Sequence, residues 1–142
     1  MRRELNTSKS TFKDIIKHNL MYVDKTKEIY DLVHKTDGQF FLSRPRRFGK
    51  SITLSTLKSI FEGDKELFKG LYIYDKPFDW KTHPVIHLSM NRMGSKTLEE
   101  FEENLCISIK RIAKNNKIVL ISNRSYQLFQ ELIEELHEKQ FR

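Results

Sequence analysis

Apolar residues along this chain fall into short runs and helical stripes separated by basic or glycine-bearing turns, and this pattern predicts an order of elements. Phe12, Ile15 and Ile16 share one face of a short helix over residues 11–17. Residues 19–23 read as extended. Asp24 is placed to cap a helix over residues 25–35, with Ile29, Leu32 and Val33 inward and Gly38 just beyond its end. The run Phe40-Phe41-Leu42 reads as a buried strand. After a basic turn, Ile52, Leu54, Leu57, Ile60 and Phe61 recur at helical spacing in a helix that opens at Ser51 and is closed by Gly63. Residues 64–68 give a helical turn, and residues 71–74 a short extended piece. The mostly apolar run 84–90 suits a parallel strand buried on both faces and predicts a second main strand. Thr97-Leu98-Glu99-Glu100 matches a capping box for a helix reaching about Lys114, with Leu98, Phe101, Leu105, Ile109 and Ile112 as its inward stripe. Residues 118–121 read as a short strand or a packed connection. A last helix over residues 125–139 carries Phe129, Leu132, Ile133 and Leu136 on one face. Strands alternating with helices predict an α/β domain with a parallel sheet flanked by helices.

Candidate chemistry lies in the basic turn between the first strand and its helix. Its end, Gly49-Lys50-Ser51, is the tail of the phosphate-binding loop pattern G-x-x-x-x-G-K-[ST]. Gly49 can take backbone conformations that bring N–H groups close to a phosphate. Lys50 can reach terminal phosphate oxygens, and the Ser51 hydroxyl can ligate Mg²⁺. A helix starting at Ser51 aims its unsatisfied N–H groups and positive dipole end at the same anion. Arg44 stands where the pattern has its first glycine, so the match departs from the general motif. Strand, loop and helix nevertheless arrive in the required order.

The eight residues Arg44-Pro45-Arg46-Arg47-Phe48-Gly49-Lys50-Ser51 resemble the phosphate-loop signature of the AAA-ATPase-like family, P-loop proteins often followed by a restriction-endonuclease-like nuclease domain. Arg44 fits that family's loop. Three further stretches agree in order: Tyr22-Val23-Asp24-Lys25-Thr26, Leu67-Phe68-Lys69-Gly70-Leu71-Tyr72-Ile73, and His83-Pro84-Val85-Ile86-His87-Leu88. The resemblance implies binding of ATP with Mg²⁺ through Arg46, Arg47, Phe48, Gly49, Lys50 and Ser51, with Ser51 on the metal. It also makes Tyr22 and Asp24 candidate neighbours of the nucleotide, although capping alone accounts for Asp24 and packing for Tyr22. Members of this family have an acidic strand after the last helix read here, and often an acidic residue where Ser89 stands. The resemblance therefore implies that residues 1–142 are the N-terminal part of an AAA-ATPase-like domain with an incomplete parallel sheet. No catalytic residue is assigned, and hydrolysis by this chain alone is not expected, because P-loop hydrolysis needs an acidic Mg²⁺-binding residue. An incomplete sheet also implies marginal stability, or a second chain that completes the fold.

Composition narrows the alternatives. The 142 residues are 38% hydrophobic with ten Phe and five Tyr, enough for a core, and 32% charged. No apolar run approaches the ~18 residues of a membrane span, and no apolar stretch follows Arg2 and Arg3 as in a secretory signal, so the chain reads as cytoplasmic. A single cysteine, Cys106, makes no internal disulfide. His83 and His87 have zinc-like spacing, but four residues along a strand separate them by about 13 Å, too far to share one ion. Residues 1–50 hold 12 Lys and Arg against 6 Asp and Glu, whereas residues 51–142 hold 14 against 13. That basic half suits a triphosphate. It also suits the alternative, a basic module contacting nucleic acid or an acidic partner through Arg44–Arg47, although aromatics are not interleaved along it as stacking platforms would be. A non-functional remnant is the third reading.

Overall fold

The computed structural model describes residues 4–5, 9–34, 38–90 and 94–141. Among the described residues five helices order the chain: α1 (Phe12–Lys17), α2 (Thr26–Val33), α3 (Lys50–Phe61), α4 (Leu98–Asn115) and α5 (Ser125–Phe141). The 3₁₀ turns Lys65–Phe68 and Tyr72–Asp75 lie between α3 and α4. The helices stand where the apolar periodicity predicts them, within a residue or two, although Lys35 lies outside the described residues. Two units, Met1–His83 and Pro84–Arg142, each pack about a core of their own.

The first unit is built on α1 and α3. The Thr11 hydroxyl accepts the Asp14 N–H to cap α1, which packs on α3. Phe12, Ile29, Ile60, Phe68, Leu71 and Ile73 form the buried centre. The Phe12 ring stacks on Phe68 at 4.6 Å and meets the Tyr22 ring edge-on at 5.0 Å. α3 ends as predicted at Gly63, which takes φ of 76°. Gly63 N–H reaches back to Ile60 O and Asp64 N–H to Ser59 O, the paired bonds of a Schellman cap. Space also selects glycine there, since a Cβ would stand 2.9 Å from the Trp80 carbonyl oxygen.

The second unit is a helical pair with an extended arm on either side of α4. Ile109 and Ala113 of α4 pack against Leu128, Leu132 and Leu136 of α5. Both stripes differ from the sequence reading by a small rotation. Leu98 is 73% exposed, and on α5 the buried line runs through Leu128 while Phe129 and Ile133 turn outward. Residues four apart stack along a helix, and 128, 132 and 136 make that row without a break. Thr97 caps α4 by accepting the Glu100 N–H, while the Glu100 carboxylate reaches the N–H of Lys96 rather than that of Thr97.

The α/β architecture is overturned. Among the described residues there is no strand and no sheet, and their one β-bridge is the isolated pair Glu4 and Leu20. Phe40, Phe41 and Leu42 form an exposed extended arm, with Phe41 95% exposed, rather than a buried strand. In the predicted second strand, Ile86 and Leu88 alone lean on a core, one side only. Residues 118–121 alternate, with Ile118 and Leu120 packed inward while Val119 and Ile121 are each 85% exposed. An apolar run specifies burial, but a strand also needs a neighbour to exchange ladder bonds. Here the N–H groups of Ile121 and Ser122 go instead to the Glu131 carboxylate of α5, at 2.7 and 3.0 Å. Those two N–H groups, with the Ser122 hydroxyl, hold the Glu131 carboxyl below its ordinary pKa. The predicted extended piece at residues 71–74 is likewise a 3₁₀ turn.

Candidate functional site

The turn before α3 is short and closed by one backbone bond and by side-chain bonds to its carbonyls. Phe48 N–H closes on Pro45 O at 3.4 Å, and an Arg44 guanidinium N–H closes on Phe48 O at the same distance. φ is positive at Arg47 (66°) and at Gly49 (78°), and not at Phe48 between them. Alternating handedness of this kind turns successive N–H groups toward one side, the concavity in which backbone binds anions. Gly49 has open space around a notional Cβ, so its requirement is conformational rather than steric. Arg47 holds the left-handed conformation at a cost of about 1 kcal/mol, and strain of that sort collects at ligand clamps.

α3 opens at Lys50, one residue earlier than the periodicity places it. Its first i→i−4 bond runs from Thr53 N–H to Gly49 O at 2.9 Å. The N–H groups of Lys50, Ser51 and Ile52 therefore precede any intrahelical acceptor and lie at the positive end of the helix dipole. Arg46, Arg47, Phe48, Lys50 and Ser51 are all exposed. Among the described residues no carboxylate forms an ion pair with Arg46, Arg47 or Lys50. Six consecutive predicted site residues thus meet at one helix start, with three cations left unneutralised.

Tyr22 and Asp24 are not part of that turn. The Tyr22 hydroxyl lies 3.4 Å from the Thr56 hydroxyl, on the flank of α3 and six residues beyond Lys50. Burial raises its pKa, against a smaller opposing effect from Thr56. Asp24 ties α2 to the second 3₁₀ turn. One carboxylate oxygen accepts the Thr26 N–H and hydroxyl, and the other accepts the Tyr72 N–H, at 2.7 to 2.8 Å. The buried Thr26 hydroxyl in turn accepts the Ile73 N–H. These bonds draw residues 72–75 out of an extended conformation.

Burial pushes the Asp24 carboxyl up, but the bonds from Thr26 and Tyr72 outweigh it and hold the pKa below the ordinary value. A depressed carboxyl contributes stability that is complete above its unfolded pKa, near 4, and is lost as pH falls through the folded value. The thermal midpoint of the wild-type chain is therefore expected to fall more steeply below about pH 4 than that of Asp24→Asn. Parallel midpoint-against-pH curves for the two proteins would show that the tie contributes nothing.

Sequence reasoning passed over the hydroxyls of α3. Thr53 Oγ1 donates to Gly49 O, and Ser55 Oγ and Thr56 Oγ1 both donate to Ile52 O. Ser55 Oγ also accepts the N–H of Phe12, an otherwise orphaned donor at the start of α1. Three hydroxyl residues within four positions at the centre of the helix were the available signal. In the second unit an open groove of about 680 Å³ runs past Glu99, Glu102, Glu103, Cys106 and Tyr126. Its carboxylates disfavour a polyphosphate. Among the described residues no group of three or more His, Cys, Asp or Glu is arranged to hold a metal ion. Nor is any helix among them long and apolar enough to cross a membrane.

A family model described as predicted AAA-ATPase matches residues 7–142. The chain belongs to the predicted AAA-ATPase family. It is also similar to an uncharacterized protein in the vnfD 5′ region of Azotobacter chroococcum mcd 1, with 34% identity over 117 residues. That match covers 82% of this chain and 22% of the relative, so the AAA-ATPase-like chain spans about a fifth of the relative's length. No solved structure matches it significantly.

Proposed function

We propose that this chain binds ATP or a related nucleotide, with Mg²⁺, through Arg46, Arg47, Phe48, Gly49, Lys50 and Ser51. The observation that carries this reading is the alternating φ sign across Arg47, Phe48 and Gly49, running directly into the start of α3 at Lys50. Membership of the predicted AAA-ATPase family supports it. The residues present fit a polyphosphate: unneutralised cations surround N–H groups that point out of a helix start. Ser51 would supply one oxygen to Mg²⁺, with phosphate and water oxygens completing its shell. Hydrolysis needs a carboxylate beside that ion and a group to orient water. No residue of this chain is assigned to either task, and the proposal is one of binding.

Titration with a fluorescent ATP analogue, with and without Mg²⁺, tests the reading. Saturable, Mg²⁺-dependent binding that requires Lys50 supports it, and a folded sample that binds nothing overturns it. The second reading, a module for single-stranded nucleic acid or an acidic partner, draws on Phe48. This ring is 64% exposed among Arg44, Arg46 and Arg47, an aromatic face within a cationic turn. Salt-sensitive oligonucleotide binding that ignores ATP and survives Lys50→Ala would favour it.

A partner chain is part of the same proposal. Exposed Phe41 in the first unit, and Val119 and Ile121 in the second, are apolar residues on extended backbone that another chain would cover. Sedimentation is expected to show concentration-dependent association. A monomer throughout the micromolar range would count against it.

A further inference from the structure

We propose that Arg44 and Thr53 are positioning residues for the phosphate loop, each fixing one loop carbonyl so that the N–H across the same peptide plane faces the anion. This rests on the nucleotide-binding reading and adds the means by which this variant loop is held without its first glycine. A peptide unit is planar and trans, so its C=O and N–H point in opposite directions. Fixing the Phe48 carbonyl fixes the Gly49 N–H, and fixing the Gly49 carbonyl fixes the Lys50 N–H. Arg44 donates to Phe48 O at 3.4 Å across the turn. Thr53 holds Gly49 O twice, from its N–H at 2.9 Å and its hydroxyl at 3.1 Å. The two carbonyls that would repel a phosphate if they swung inward are thereby held away from it.

The backbone also shows why arginine is tolerated at position 44. Positive φ falls at Arg47 and Gly49 and not at Arg44, so no left-handed residue is needed at the first position of the motif. A side chain is free to grow there, and its guanidinium returns to the loop four residues on. Arg44 then acts on the nucleotide through the Phe48–Gly49 peptide, whereas among the described residues Arg46 and Arg47 have no such bond and keep their charge for the ligand.

The test uses Thr53→Val, which keeps shape and loses the hydroxyl, Thr53→Ser, which restores it, and Arg44→Met, which removes the donor. The probes are the ATP analogue with Mg²⁺ and inorganic tripolyphosphate, and the readouts are affinity, the Gly49 and Lys50 amide proton shifts, and the thermal midpoint. Thr53→Val and Arg44→Met are each expected to weaken binding of both probes about tenfold, the worth of roughly one net hydrogen bond. Thr53→Ser is expected to bind within about twofold of wild type, as retention of that bond implies. The downfield shifts that tripolyphosphate induces at Lys50 in wild type and at Gly49 in wild type should shrink in Thr53→Val and Arg44→Met respectively, with thermal midpoints nearly unchanged. Wild-type affinity in both variants overturns the inference, as does weakened binding with the amide shifts intact, which would make the effect one of charge or stability. Failure of the wild-type chain to bind either probe is a separate outcome that overturns the nucleotide reading and this inference with it.

Discussion

Lys50→Ala is expected to weaken binding of the Mg²⁺–ATP analogue by about 100-fold, or about 2.7 kcal/mol, within the range of one or two charge-assisted hydrogen bonds. Lys50 is the first residue of α3, is exposed, and forms no ion pair among the described residues. Its ammonium is thus uncommitted and can be given to phosphate oxygens. Nothing in the core depends on the side chain, and alanine is the best helix former, so the variant should fold with an unchanged thermal midpoint. Lys50→Arg keeps the charge but presents a planar fork in place of a compact ammonium, and should recover only part of the affinity. Titration of all three proteins beside their thermal melts separates loss of the ligand contact from loss of the fold. Binding by Lys50→Ala within about twofold of wild type, far short of the loss a charge-assisted bond implies, would remove the loop from the nucleotide site.

Phe12→Ala should have the largest effect on stability, about 3–5 kcal/mol. The Phe12 ring is fully buried between Phe68 and Tyr22, and its backbone N–H is held by Ser55 of α3. Domains of this size have only about 5–15 kcal/mol in total, so the first unit should lose a large share of its margin against unfolding. The single tryptophan, Trp80, reports on this directly because its ring packs on Phe68 at 5.1 Å. Urea unfolding followed by Trp80 fluorescence should show the midpoint moving sharply down, with Phe12→Leu in between. Because α1 braces α3, nucleotide binding should fall with stability in Phe12→Ala, the reverse of Lys50→Ala. An unshifted midpoint would mean that α1 is not part of the core.

Local chemistry made much of this chain legible in advance. The Gly-Lys-Ser sequence, the apolar spacing after it and Gly63 place α3 to within a residue, because a turn, a helix start and a cap are each decided by a few neighbouring residues. The capping threonine before α4 was visible for the same reason. The apolar run Phe40-Phe41-Leu42 misled because hydrophobicity reports a preference for burial and says nothing about which surface covers the residues. The exact faces of α4 and α5 were set by which row of side chains meets the other helix, so Leu98 turned out and Leu128 turned in. Asp24 read as a cap because its type and position allow one, but its grip on Tyr72, 48 residues away, has no local signature.

By itself the sequence determined the helices, the cap at Gly63 and the place of the basic turn before α3, since these depend on residue type and on neighbours within a turn. Only the tertiary structure decided that the apolar runs stay extended without ladder partners, that Glu131 takes the amides of one of them, and that Arg44 and Thr53 hold the loop carbonyls. Each of those outcomes depends on which donor and acceptor groups the folded backbone brings within hydrogen-bonding distance, a property of three-dimensional placement that no stretch of sequence encodes alone.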